Sequence, residues 1–251
     1  VLDIGNTRIK WGRLDGEARL VESHATAIDD QAAWSEALGR YGLHPERGAL
    51  VASVNPPAAE RLGRLLESRG IGPIRWFRSA REVPVRHELE APERTGADRA
   101  LAVLAALGRG NRTGPGIVIQ CGTAITVERI SPGGIWQGGA IGIGPGLACR
   151  ALQAGTAQLP EIPSLFQGEP PPAWGPSTLP AMSAGIVWGA VGTIRELIAR
   201  QSEGLRPAPW IVWTGGDATG LAPLVCGDQA NIEPDLVLIG LSEAAGLPGS
   251  S

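Results

Sequence analysis

LDIGNTRIKWGRLD, Leu2 to Asp15, carries an apolar strand into Asp3, Gly5, Asn6 and Thr7 and then resumes as Ile9, Lys10, Trp11 and Gly12. Gly-Asn is a permitted hairpin turn, which accounts for the glycine but not for Asp3. A carboxylate beside a small polar loop, with backbone N–H groups free to face outward, is the composition that holds phosphates and their magnesium. A strand turn with a capping aspartate is the plainer alternative. The pattern returns in IVIQCGTAITVERI, Ile117 to Ile130, as an apolar strand, the small turn Gly122-Thr123 and a second strand. A third glycine-rich element, TGGDA at 214–218, follows an apolar strand and precedes a helix, where open backbone can meet a ligand. Two halves that each open on strand, small turn and strand point to a duplicated α/β architecture, with both turns serving one nucleotide.

Outward from these turns, helix and strand alternate. DDQAAWSEALGRYG spaces Ala33, Trp34, Ala37, Leu38 and Tyr41 as a helix, GALVASV is a continuous apolar strand, and PPAAERLGRLLESRG is a helix with proline at its start and glycine past its end. PIRWF is a short strand, and GADRALAVLAALGRG turns helical from about Ala97. GRGNRTGPG at 108–116 is the expected boundary between domains at 1–113 and 114–251. Beyond it come a strand at GIWQGGAI, a helix around GLACRALQAG, a Pro-rich loop at 160–176, a long helix from about Thr178 to Glu203, the strand PWIVWTGG and a final helix.

The 251 residues allow two modest domains, and 43% hydrophobic against 19% charged residues describes a globular chain rather than a disordered one. A net charge of −3 with no basic run gives no field for nucleic acid. No apolar stretch reaches the ~18 residues that span a bilayer, and the start lacks a signal-peptide pattern, so the expectation is a cytoplasmic protein without a membrane partner. Cys121, Cys149 and Cys226 lack ligand-pair spacing and read as buried free thiols. His24, His44 and His87 stand isolated and read as surface or structural, and the eight tryptophans read as core.

Gly96-Ala97-Asp98-Arg99 opens a helix that is otherwise apolar from Ala100 to Leu107. Asp98 suits a cap or dipole partner, but with Arg99 it also suits a site: the guanidinium can grip a carboxylate, and the aspartate can take a proton from a hydroxyl. Glycines 138, 139, 142, 144 and 146 exceed what one turn needs and suggest an active-site or interface wall.

In order, DIGNT, GADR, CGTAIT, GGAI with PGL, TAQLP and TGGD resemble the type III pantothenate kinases, the Bvg accessory factor family, over nearly the whole chain. The resemblance implies two ribonuclease H-like domains of the acetate and sugar kinase/Hsc70/actin superfamily, usually as a homodimer. It implies transfer of the ATP γ-phosphoryl group to pantothenate, the first step of coenzyme A synthesis, with Mg2+ and a monovalent cation, K+ or NH4+. A nucleotide-binding regulatory homologue on the same fold is the alternative. Position by position, Asp3, Ile4, Gly5, Asn6, Thr7, Arg8, Ile9 and Lys10 resemble the first phosphate loop, with Asp3 near magnesium, and Thr123 resembles the second ATP contact. Gly96, Ala97, Asp98 and Arg99 resemble the pantothenate site, with Asp98 as proton acceptor and Arg99 on the substrate carboxylate. Thr178 resembles a further pantothenate contact. Gln120 stands where the family commonly has the aspartate that ligates the monovalent cation, and Leu89 where a tyrosine commonly lines the pantothenate wall.

Overall fold

A computed structural model describes residues 1–41, 48–110, 112–162, 165, 166 and 168–246. His44 lies outside them. The chain divides into two compact units, one formed by Val1–Arg112 with the segment from Asp235 onward, the other by Thr113–Pro234.

In the first unit, β1 (Leu2–Ile4) and β2 (Arg8–Leu14) form the expected hairpin around Gly5-Asn6-Thr7, and β3 (Leu20–Ala27) continues it antiparallel. Helices α1 (Gln31–Arg40) and α2 (Pro56–Ser68) flank β4 (Ala49–Ser53), which pairs in parallel with β1, and β5 (Ile74–Phe77) closes the order β3-β2-β1-β4-β5. Asp30 and Asn55 cap the two helices by accepting from the N–H groups of Ala33 and Ala58 at 2.9 and 3.1 Å. Each bond satisfies a donor that the helix leaves orphaned. Trp34, Leu38, Leu62 and Leu66 pack onto Ile4, Ile9, Trp11 and Val51 to form the core of this unit. The sequence reading missed two single-turn 3-10 helices, Ala80–Glu82 and Pro92–Arg94, in the polar stretch before α3 (Ala97–Gly108).

The second unit repeats the pattern one strand shorter. β6 (Gly116–Cys121) and β7 (Ala124–Ile130) form the second hairpin, followed by β8 (Trp136–Ile143), α4 (Pro145–Gly155), the long α5 (Thr178–Ser202), β9 (Trp210–Thr214) and α6 (Ala218–Cys226). The sheet order β8-β7-β6-β9 matches β3-β2-β1-β4, with β6 and β9 parallel where β1 and β4 are. The duplication that is faint in the letters is plain in the strand order.

The final helix, α7 (Leu236–Ala244), departs from the expected division, because it packs in the first unit instead of extending the second. The reason is steric and apolar. Leu236, Leu238 and Leu241 are fully buried, and Gly240 lies against the Leu101 carbonyl so closely that any Cβ there would collide with it. Only the first crossing, at Arg112/Thr113, falls where the Gly/Pro segment predicts.

Trp11, Trp34, Trp136 and Trp213 are core residues as expected, whereas Trp174 is 79% exposed. Of the free thiols only Cys121 is buried, Cys149 being half-buried and Cys226 exposed. Local spacing carries no signal for that difference.

Candidate active site

In the first unit the residues expected to form the first phosphate loop sit on β1, its turn and β2. The Gly5 N–H donates to the Arg8 carbonyl at 3.0 Å, the Ile28 N–H to the Thr7 carbonyl at 3.0 Å, and Asn55 Nδ2 to the Gly5 carbonyl at 3.4 Å. These bonds tie the loop from three sides while Asn6 and Arg8 stay exposed. Ile4 and Ile9 are fully buried and anchor the two strands. They support the loop and do not present a side chain to a ligand.

Asp3 lies directly opposite Lys10 in the β1–β2 register, which puts both side chains on one face of the sheet. Residue Asp3 keeps some exposed surface, but its carboxyl is deep, and burial pushes its pKa up to about 7. The charges of Asp98 and Asp235 push the same way, and Lys10 opposes them. Asp3 and Asp98, 95 positions apart in sequence, are thus within electrostatic reach of each other. A buried carboxylate whose ionised form is disfavoured by two other carboxylates is a place where a divalent cation restores balance. Among the described residues no cluster of three or more His, Cys, Asp and Glu side chains could hold a metal by itself. That fits magnesium, which commonly takes one or two protein carboxylates and completes its shell with water and phosphate oxygens.

Gly96 precedes α3 at an extended φ of −57° and needs no special backbone freedom. Its role is spatial: a Cβ at this position would run into Asp98 Oδ1 and stand 3.2 Å from Val54 Cγ1. The absent side chain leaves room for the Asp98 carboxylate to fold back, where Oδ1 accepts from the Arg99 N–H at 2.9 Å. Ala97 is fully buried and Arg99 half-buried. The Ala80 N–H holds this strand end by donating to the Thr95 carbonyl at 2.8 Å. Thr95 and Gly96 form one wall of a cleft of about 710 Å3 shared with Ser53, Val54, Arg78 and Arg94. Arg78 and Arg94 escaped the sequence reading because their polar stretch shows no periodicity. Leu89 is half-buried, and its N–H donates to His87 Nδ1 at 3.3 Å; it is not among the residues of this cleft.

The second unit has its own glycine-built end. The Gly122 N–H donates to the Ala124 carbonyl at 3.1 Å and the Gly144 N–H to the Thr123 carbonyl at 3.1 Å. Gly144 is obligatory, since a Cβ would strike the Gly122 carbonyl. Gly215, at a left-handed φ of +98°, lies against the Cys121 carbonyl, which also accepts from the Asp217 N–H at 3.0 Å. The CGTA and TGGD turns therefore fold onto each other at the C-terminal ends of the neighbouring parallel strands β6 and β9. Burial, helped by the Asp217 charge, pushes the Cys121 thiol up to about 12, which makes it an inert packing group. Gln120 Oε1 accepts from Thr126 Oγ1 at 3.2 Å. Thr178 opens α5 and is exposed beside an apolar groove of about 700 Å3 in this unit.

Two sheets with one strand order, each with a backbone-lined turn at the C-terminal end of its central strands, define the fold of the acetate and sugar kinase/Hsc70/actin superfamily. A solved archaeal actin homolog shares that fold at TM-score 0.51 and 13% identity, with 98% of each chain covered. A solved structure described as a conserved Baf family transcriptional activator from Campylobacter jejuni shares it at TM-score 0.61 and 19% identity, over 98% of this chain and 96% of that one. The chain belongs to the type III pantothenate kinase family, whose profile matches residues 1–200. A type III pantothenate kinase of Alkalilimnicola ehrlichii is 36% identical to it over 253 residues, covering 98% of this chain and 96% of the relative.

Proposed function

We propose that the protein transfers the γ-phosphoryl group of ATP to pantothenate, with Asp98 as proton acceptor. Family membership supports the reaction, and the nearness of Asp98 to Asp3 in one unit, close enough for its charge to disfavour ionised Asp3, is the observation that supports the residue assignment. Phosphoryl transfer asks a protein mainly to position groups and neutralise charge, and needs no covalent nucleophile. The backbone turn at Gly5–Thr7 contacts the nucleotide, and Lys10 supplies a cation to its phosphates. Asp3 would hold a magnesium ion, whose charge would offset that developing on the transferring group. Asp98 accepts the proton of the attacking hydroxyl while Arg99 grips the substrate carboxylate. The cleft beside Gly96 carries Arg64, Arg78 and Arg94 against Glu60, Glu67 and Glu93, so the grip on an acidic substrate is assigned to Arg99 alone.

The monovalent cation fits less well. Gln120 offers a neutral oxygen, which also accepts from Thr126, and so brings no charge to a monovalent cation. A second copy of the chain is the proposed cover for the apolar side of the second unit, where Ile141 and Ile143 on the edge strand β8 are 65% and 53% exposed. Leu147 and Leu179 are exposed as well. No helix among the described residues is long and apolar enough to cross a membrane.

The test is Asp98→Asn, which keeps shape and removes the basic oxygen. Turnover falls by about 10²- to 10⁴-fold, the usual share of a general base, while a non-hydrolysable ATP analogue binds as it does to wild type. Turnover at the parental rate would remove Asp98 from the role.

A further inference from the structure

Asp235 is the first residue after the chain returns to the first unit, and it stands at the N-cap of α7. Two local preferences are set aside there. Its backbone is left-handed, with φ +64° and ψ +23°, a conformation that strains most non-glycine residues and that Asp and Asn tolerate best. An aspartate at a helix N-cap also ordinarily accepts from the N–H of the second or third helical residue, and Asp235 makes no such bond. Its carboxylate turns to the sheet instead, where Oδ1 accepts from Lys10 Nζ at 3.3 Å and Oδ2 from Ser23 Oγ at 2.5 Å. The Lys10 and Asp235 side chains are 28% and 19% exposed, so this pair is better shielded from solvent than the rim pairs of Arg19 or Arg200.

Lys10 needs such a partner. Its ammonium rides on a flexible four-carbon stem and sits across the sheet register from Asp3, whose charge it attracts. Left alone, the ammonium would collapse onto Asp3 and compete there with a divalent cation. A second carboxylate, approached from a different element, gives Lys10 an alternative. We propose that Asp235 is a positioning residue for the phosphate loop: by pairing with Lys10 it holds the ammonium ready for a nucleotide phosphate and keeps Asp3 available for a divalent cation. This rests on the kinase function proposed above.

Asp235→Asn tests it, because asparagine tolerates the left-handed backbone and can still accept from Ser23 while losing the charge. The expected result is a rise of about three- to thirtyfold in the KM for ATP, inside the range of coupling between contacting residues, with the KM for pantothenate within twofold of wild type. The Kd of a non-hydrolysable ATP analogue, measured by calorimetry without pantothenate, rises by the same factor. In a Lys10→Met background the second substitution adds nothing, which separates positioning of Lys10 from a general loss of structure. Unchanged ATP affinity in Asp235→Asn, or an equal effect with and without Lys10, overturns the proposal. Should wild type bind the analogue but show no pantothenate-dependent turnover, the proposed substrate fails, and the calorimetric comparison still decides whether Asp235 acts through Lys10.

Discussion

Gly96→Ala isolates the geometry of the proposed base from its chemistry. The backbone at Gly96 lies in a region open to any residue, so alanine brings no dihedral strain. What it brings is a methyl group in the space occupied by Asp98 Oδ1, with Val54 Cγ1 only 3.2 Å away on the other side. Val54 precedes α2, and its N–H is fixed to the Ile4 carbonyl at 3.2 Å, so the carboxylate is the group that yields. Its bond to the Arg99 N–H is then weakened, and hydrogen bonds to charged groups contribute about 1.5–3 kcal/mol. A shift on the order of 1 Å at a reacting group costs about 10²-fold in rate, equivalent to about 2.7 kcal/mol of transition-state stabilisation. Steady-state assays with pantothenate varied at saturating ATP should therefore show kcat/KM reduced about 100-fold, while calorimetry of an ATP analogue stays at the wild-type value. Thermal unfolding should shift by about 3–10 °C, since roughly 1 kcal/mol moves the midpoint of a chain this size by about 2–4 °C. Wild-type kcat/KM in a folded Gly96→Ala protein would refute the placement of Asp98 at the reaction centre.

Two further outcomes follow from the same structure. Glu243 on α7 is half-buried beside Gly108, its Oε1 is buried with no hydrogen-bond partner, and desolvation raises its pKa from 4.5 to about 7, opposed by Arg109. The folded state then binds this proton more tightly than the unfolded chain, so stability falls as pH rises from about 4.5 to about 7 and stays reduced above it. Glu243→Gln lacks that penalty, so thermal melts should show it more stable than wild type at pH 8 and nearly equal at pH 4.5; the reverse order would contradict the burial. Gly215→Ala places a Cβ against the Cys121 carbonyl at a left-handed φ, so it should weaken ATP-analogue binding about tenfold or more through the displaced turn, a cost of at least about 1.4 kcal/mol. Wild-type affinity in Gly215→Ala would show that the TGGD turn takes no part in holding the nucleotide.

Apolar periodicity and turn chemistry reveal most of the secondary structure here, because both are local. The Gly5-Asn6-Thr7 turn, the Pro56 helix start and the apolar helix after Gly96 announce themselves within a few residues. What escapes is long-range. Asn55 reaches the Gly5 carbonyl across 50 positions and Asp235 reaches Lys10 across 225, and neither partner carries a local mark of the other. Asp235 reads as a loop acid before an apolar helix, and only the packed position of α7 turns it toward β2. The return of α7 to the first unit is equally silent in the letters, since its leucines would suit either core. Asp98 lies between these cases: the helix start marks it as a cap, and only its electrostatic reach to Asp3 distinguishes a site from a cap.

The decisive experiment is ADP release from ATP and magnesium by the purified protein, with and without pantothenate, in potassium, ammonium and sodium. Release should require pantothenate and differ little among the three cations, because Gln120 brings no charge to hold one of them. No release in any of them, from folded protein that binds an ATP analogue, would contradict the assignment of pantothenate as the acceptor.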